Sequence, residues 1–320
     1  MDHDQPTWSV KSRPWQWRAR GNNIRRRGWL WALALVFGVS ASGASCPRVL
    51  QQYTQPIPRA LPEAASLDQI INVVNDNSAR VQSLSTTRAT LATPGYPALT
   101  ANIAFQRPRS LRLVAQKFGP EVDLGSNDEL LWFWMRRAEP PALFFCRHDQ
   151  FAVSAARQIF PVEPEWLIEA FGVVTFDKAL GVEGPFPVGG GRLEVRTKSS
   201  TAGPGTSRIA IIDDSRGLVL EEHIYDARGV RLATARLSKH VHDPATGVTL
   251  PRHVDIDFPT KLEFSVDMPD LVINQLATDP KVLFTKPVYS GFNEVDLAQP
   301  GGPLTPNAHG PASAPPTVRY

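Results

Sequence analysis

His240, His242 and His253 are the residues whose type and spacing come nearest to metal chemistry. Two imidazoles two apart on a strand share a face, and a hairpin loop over Asp243–Leu250 would set His240 opposite His253. His253, however, alternates with Asp255 and Asp257 against Val254, Ile256 and Phe258, which assigns it to a solvated face. The expectation is an exposed polar surface without a resident metal; a surface metal-dependent hydrolase built on these imidazoles is the alternative. The acidic pairs Asp213-Asp214 and Glu221-Glu222 lie on strand-like stretches, where neighbours point to opposite faces and cannot act together. Gly189-Gly190-Gly191 has no helical pattern after it, so it lacks the helix start that a phosphate cradle needs. No nucleophile elbow, Walker loop or dinucleotide fingerprint occurs. The sequence therefore predicts a binding protein with no catalytic residues and no cofactor.

The segment Leu130–Met135 suits binding better. Leu130, Trp132 and Trp134 fall on one face of a strand, and Leu131, Phe133 and Met135 on the other. Phe144, Phe145 and Cys146 follow on the next strand. Such a strand is either buried on both faces or lines an apolar cavity with one of them. On the second reading Trp132, Trp134 and Phe144 are the ligand-binding residues.

The elements that position these residues are mostly strands. Ser66 and Gln69 form a capping-box pattern, and Leu67, Ile70, Ile71, Val74 and Val81 recur at helical spacing behind it. After Leu84 the period changes to two, with strands expected at 85–93, 98–106, 110–117, 121–125, 129–136 and 142–148. A second helix is expected near Pro164–Gly172, and further strands at 192–198, 207–213, 218–225, 230–241, 254–258 and 262–268. The connections are too short for crossover helices, so neighbours must run antiparallel. The fold class is α+β and mainly β: a strongly curved antiparallel sheet, or half-open barrel, covered by an N-terminal helix and one internal helix.

The two ends differ from this middle. Residues 1–45 hold Arg25-Arg26-Arg27, the apolar run Trp29–Phe37 and a zone of small residues, which together read as a secretion leader. Without them the net charge of +3 becomes −2, so no polyanionic partner is expected and no nucleic acid. Residues 46–65 form a Pro-rich tether and 299–320 a disordered tail, leaving 66–298 as the folded domain. With cysteines only at Cys46 and Cys146, a disulfide framework is excluded. Ala44-Ser45-Cys46 resembles the bacterial lipoprotein signal, although Gly43 stands where that pattern usually has leucine. The resemblance implies lipidation on Cys46.

Three stretches carry a wider resemblance over residues 66–298. They are the turn and strand Phe105–Leu113 behind the N-terminal helix, the Gly125–Trp132 turn into the aromatic strand, and the closing strands Val254–Phe258 and Leu262–Met268. In that order they resemble the LolA/LolB-like outer-membrane lipoprotein-sorting (lipoprotein carrier) family. The resemblance implies a half-open barrel whose cavity holds acyl chains or lipoproteins, and an extracytoplasmic place on the periplasmic face of a membrane, the outer one above all. An envelope sensor or interaction module with the same type of domain is the alternative function.

Overall fold

The computed structural model describes residues 56–198 and 201–299. The leader, Cys46, the tether up to residue 55 and the tail from residue 300 lie outside the described residues.

Helix α1 (Leu67–Ala79) begins as its sequence requires. The Ser66 hydroxyl accepts from the Gln69 amide at 3.3 Å, and the Ser66 amide donates to Gln69 Oε1 at 2.8 Å. Two orphan donors of the first turn are thereby satisfied. Ile70, Ile71 and Val74 are fully buried, each contributing about 1.5–3 kcal/mol of apolar transfer. The polar flank of the helix is bound by backbone. Asn75 donates to the Phe176 carbonyl (2.9 Å) and accepts from its amide (2.8 Å), and Asn77 does the same with Thr249 at 3.0 and 2.8 Å.

A first meander follows: β1 (Ser83–Ala92), β2 (Leu99–Gln106), β3 (Ser110–Gln116), β4 (Pro120–Ser126), β5 (Leu130–Met135) and β6 (Ala142–Arg147). Three short helices come next: α2 (His148–Phe151), α3 (Ala156–Ile159) and α4 (Glu165–Ala170). The second meander is β7 (Val182–Gly189), β8 (Arg192–Lys198), β9 (Ser207–Asp213), β10 (Val219–Tyr225) and β11 (Arg231–Ser238). A side hairpin, β12 (Val241–Asp243) and β13 (Val248–Leu250), leads to β14 (His253–Phe258) and β15 (Leu262–Asp267). The chain ends with β16 (Val272–Ile273), α5 (Pro280–Leu283) and β17 (Asn293–Asp296).

These strands, apart from the side hairpin, make one 15-stranded sheet with β7 at one edge and β17 at the other. It is strongly curved and does not close into a barrel. The two meanders meet where β15 pairs antiparallel with β1, Thr90 against Asp267 and Ala92 against Ser265. One pairing departs from the all-antiparallel expectation: β17 runs parallel to β6, Val295 against Phe144. It can do so because residues 274–292 are long enough to carry the chain back to that edge in the matching direction. β7 was hidden in the sequence because Gly184, Pro185 and Pro187 interrupt it; an edge strand tolerates proline that an interior one does not.

The inner face carries the main core. Ile103, Phe105, Leu113, Ala210, Ile224, Ala235, Val254 and Ile256 are all buried there, beneath α1 and the residues Trp166, Leu167, Ala170 and Phe171 around α4. Among the described residues no helix is long and apolar enough to cross a membrane.

Candidate functional site

The aromatic strand β5 is buried on both faces, and the two faces do different things. Strand register aligns Leu113, Leu124, Phe133 and Phe144 across β3–β6 on the inner side. Phe133 and Phe144 stack with ring centroids 4.9 Å apart, and Phe160 meets Phe133 edge-on at 5.5 Å. Leu131, Cys146, Phe151 and Ala156 complete this group, roofed by α2 and α3. It adjoins the main core through Leu124, which packs against both.

The outer row is Arg112, Gly125, Trp132 and Phe145. Trp132 is 0% exposed and Trp134 2%. Trp134 stacks on Tyr289 at 4.0 Å, and Phe292 meets it edge-on at 5.1 Å. The three residues expected to bind ligand together are thus divided. Trp132 and Trp134 lie under the C-terminal segment on the outer face, and Phe144 lies on the inner face. The cause is register: Phe145, not Phe144, stands opposite Trp132.

A polar network fastens the C-terminal segment over the tryptophans. Asp123, fully buried, pairs with Arg112 at 2.8 Å and accepts from Tyr289 Oη at 2.7 Å and Trp132 Nε1 at 3.3 Å. Arg112 also donates to the carbonyls of Leu283 and Thr285 at 3.1 and 3.3 Å. A buried carboxylate with three donors, one of them a guanidinium, is well compensated. Sequence reading missed this pair because Arg112 and Asp123 are remote in the chain pattern until β3 and β4 are in register.

The three histidines occupy three settings. His253 bridges Asp267 (2.9 Å) and Asp255 (3.2 Å) on the outer face, as its alternation implied. His242 sits beside Thr249 Oγ1 at 3.0 Å in the side hairpin. His240 departs from the expected exposed face. β11 ends at Ser238, which pairs with His253, and Lys239 takes a positive φ of 53° that turns the chain off the ladder. His240 is carried to a cavity of about 20 Å³ beside Val74, Ser78, Gly217 and Val219. Burial pushes its pKa down to about 4. Among the described residues no group of three or more His, Cys, Asp or Glu side chains could hold a metal ion.

One end of the first meander is unusual for a soluble surface. In consecutive antiparallel hairpins every second turn lies at the same end, so the β1–β2, β3–β4 and β5–β6 turns are neighbours. They present Tyr96 (76% exposed), Phe118 (98%) and Met135 (45%). Basic side chains stand among them. Lys117 lies over the Phe118 ring at 5.7 Å, Arg136 donates to the Pro120 carbonyl at 2.8 Å, and Arg137 is exposed. The signal in the sequence was a phenylalanine inside a turn, Lys117-Phe118-Gly119, where packing does not require one.

No family model matches the chain, and no curated protein matches it. Among solved structures it is similar to a putative outer membrane lipoprotein-sorting protein domain from Vibrio parahaemolyticus. That match has 10% identity over 65% of this chain and 93% of the other, with a TM-score of 0.42. It is also similar to a DUF1329 family protein from Desulfovibrio piger, at 12% identity over 65% and 95% of the two chains and a TM-score of 0.42. A LolA superfamily protein from Nitrosomonas europaea matches at 12% identity over 70% and 99%, with a TM-score of 0.43.

Proposed function

We propose that this chain is a lipid-anchored extracytoplasmic binding protein that takes acyl chains, free or carried on a lipoprotein, between its inner sheet face and the helices that cover it. The observation that carries this reading is the open sheet. Its inner face is covered by α1 and the α2–α4 segment rather than closed by strands, and the covering contacts are largely apolar. Helices seated on such a face can separate from it without breaking a sheet ladder. Phe133, Phe144 and Leu131, adjoining the main core, are the surface an acyl chain would meet first. Each methylene buried contributes about 0.8 kcal/mol, so ten of them reach roughly 8 kcal/mol, the micromolar range before losses.

The leader-like residues 1–45 and Cys46 support an envelope location with a lipid tether, at the periplasmic face of the outer membrane. The turns bearing Tyr96, Phe118 and Met135 among basic groups suit contact with a headgroup layer. The test is mass spectrometry of lipids that co-purify with the protein, followed by titration with a long-chain fatty acid. Acyl species bound at about one per chain are expected. A lipid-free protein that also fails to bind added fatty acid would sink the reading.

A further inference from the structure

Beneath α4 lies a charged cluster that an apolar-binding site does not need. Glu169 on the helix, Arg208 on β9 and Glu222 on β10 are all buried. Arg208 pairs with Glu169, and its Nε lies 2.6 Å from a Glu222 carboxylate oxygen. Two further guanidinium hydrogens go to the Thr175 carbonyl at 2.9 Å and to Thr201 Oγ1 at 3.0 Å. One guanidinium therefore serves two carboxylates. Across the sheet Glu222 is flanked by Ala210 and Ala235, which offer it no polar partner, and from α4 it is faced by Glu169 and the Trp166 side chain.

Two carboxylates and one cation leave an excess negative charge in the core whenever both acids are ionised. An uncompensated buried charge is costly, and the group that can shed it is the one with the poorer partners. Glu169 holds Arg208, Thr201 and the Thr175 amide, whereas Glu222 has Arg208 on one oxygen and the neutral Trp166 indole beside it. The structure is cheapest with a proton on Glu222.

We propose that α4 is a proton-gated lid: it is held against the inner face when Glu222 is protonated and is loosened when Glu222 ionises. Ionised Glu222 competes with Glu169 for Arg208, and Glu169 is the charged side chain that ties α4 to the sheet, beside the apolar contacts of Trp166, Leu167 and Ala170. Burial, with the Glu169 charge, pushes the Glu222 pKa up to about 7 against the pull of Arg208, so the change falls in a range an envelope protein meets. The gating concerns the helix alone; its consequence for ligand release rests on the acyl-chain reading above.

Peptide-resolved hydrogen exchange on the full chain, with times scaled for the intrinsic pH effect, tests it. With the folded-state pKa above the unfolded one, opening of α4 becomes easier as pH rises. Protection of Glu165–Phe171 is expected to fall roughly tenfold between pH 5.5 and 7, while that of α1 does not. Glu222→Gln should abolish the dependence. Wild-type protection that ignores pH, or a slope that survives Glu222→Gln, would overturn the proposal. Infrared difference spectra of the wild type guard against a variant that fails to fold: a buried carboxylic-acid band should disappear between pH 5.5 and 8, and its absence at pH 5.5 counts against the lid. Fatty-acid titration at the same pH values separates the two readings. A pH-dependent helix without fatty-acid binding leaves the lid standing and removes the acyl-chain function. Binding with a pH-independent helix does the reverse.

Discussion

Gly125 and Trp132 stand opposite each other across β4 and β5, and the indole fills the space that a side chain on Gly125 would need. A Cβ at Gly125 would overlap the six-membered ring of Trp132, which is fully buried and has nowhere to move. Gly125→Ala is therefore expected to lose about 1–3 kcal/mol through overpacking. Urea unfolding measures it, and a midpoint equal to wild type would show that the outer row is looser than its packing implies.

Asp123 holds Arg112, Tyr289 and Trp132 together, so its loss should exceed the loss of any one partner. Asp123→Ala leaves the buried Arg112 guanidinium without its carboxylate, held by the Leu283 and Thr285 carbonyls alone of the partners named above, and is expected to cost about 3–5 kcal/mol. Tyr289→Phe removes one hydrogen bond to the carboxylate and should cost about 1.5–3 kcal/mol. Limited proteolysis adds a local readout, because both changes should expose residues 276–292 to cleavage before the rest of the sheet.

The division of the aromatic strand separates binding from stability. Phe144→Ala should weaken fatty-acid binding, because Phe144 faces the inner side with Phe133. Trp132→Ala should cost about 3–5 kcal/mol of stability, and the variant that remains folded should bind as wild type does. Paired titrations and denaturation curves on both variants decide it; equal binding by Phe144→Ala would move the site away from β6.

Two attachments to membrane are expected, and they are separable. Cys46→Ala should release the protein from membranes into the soluble extracytoplasmic fraction, since a lipid chain is the stronger tether. Phe118→Ser, at a 98% exposed turn, should change stability by no more than about 0.5 kcal/mol. In the Cys46→Ala background it should still reduce sedimentation with anionic vesicles severalfold. Vesicle binding that ignores Phe118 would leave the turns without a membrane role.

His240 and Glu222 oppose each other in acid. His240, pushed down to about 4 by burial, loses stability as pH falls from its unfolded value of 6.5. Glu222, pushed up to about 7, loses stability as pH rises from its unfolded value of 4.5. Between pH 4.5 and 6.5 the folded state gives up one proton and gains one, so these two slopes cancel. Glu222→Gln should make stability rise with pH across that window, and His240→Gln should make it fall. Parallel pH series of thermal midpoints check the signs.

Strands whose side chains alternate cleanly were legible. β8 and β9 lie at the residues their period-two pattern predicts, and α1 starts at the Ser66–Gln69 box. What sequence could not show was anything set by register or by distant segments. Phe144 and Phe145 are equally aromatic, and only the pairing of β5 with β6 decides which joins the tryptophans. Arg112, Asp123 and Tyr289 are ordinary polar residues until the C-terminal segment crosses the outer face. His240 followed a strand pattern that Lys239 interrupts with a positive φ, a conformation lysine sequence does not announce. Glu222 looked like half of an adjacent acidic pair; its isolation came from facing inward while Glu221 faced out.

The seam between β1 and β15 also sets the order in which this domain can be assembled. Each meander is built from neighbouring strands, so its contacts form over short loops and form early. The seam joins Thr90 to Asp267 and has no local substitute. A chain delivered N-terminus first therefore presents β1 with one bare side until β15 and the short β16, which pairs with Leu84 and Ser85, have emerged. During that interval the first meander is an open template for strand pairing with another molecule. A nascent chain that stalls before residue 262 would carry this unfinished edge, and the last hairpin of the second meander, with β16 behind it, is what makes the first one safe.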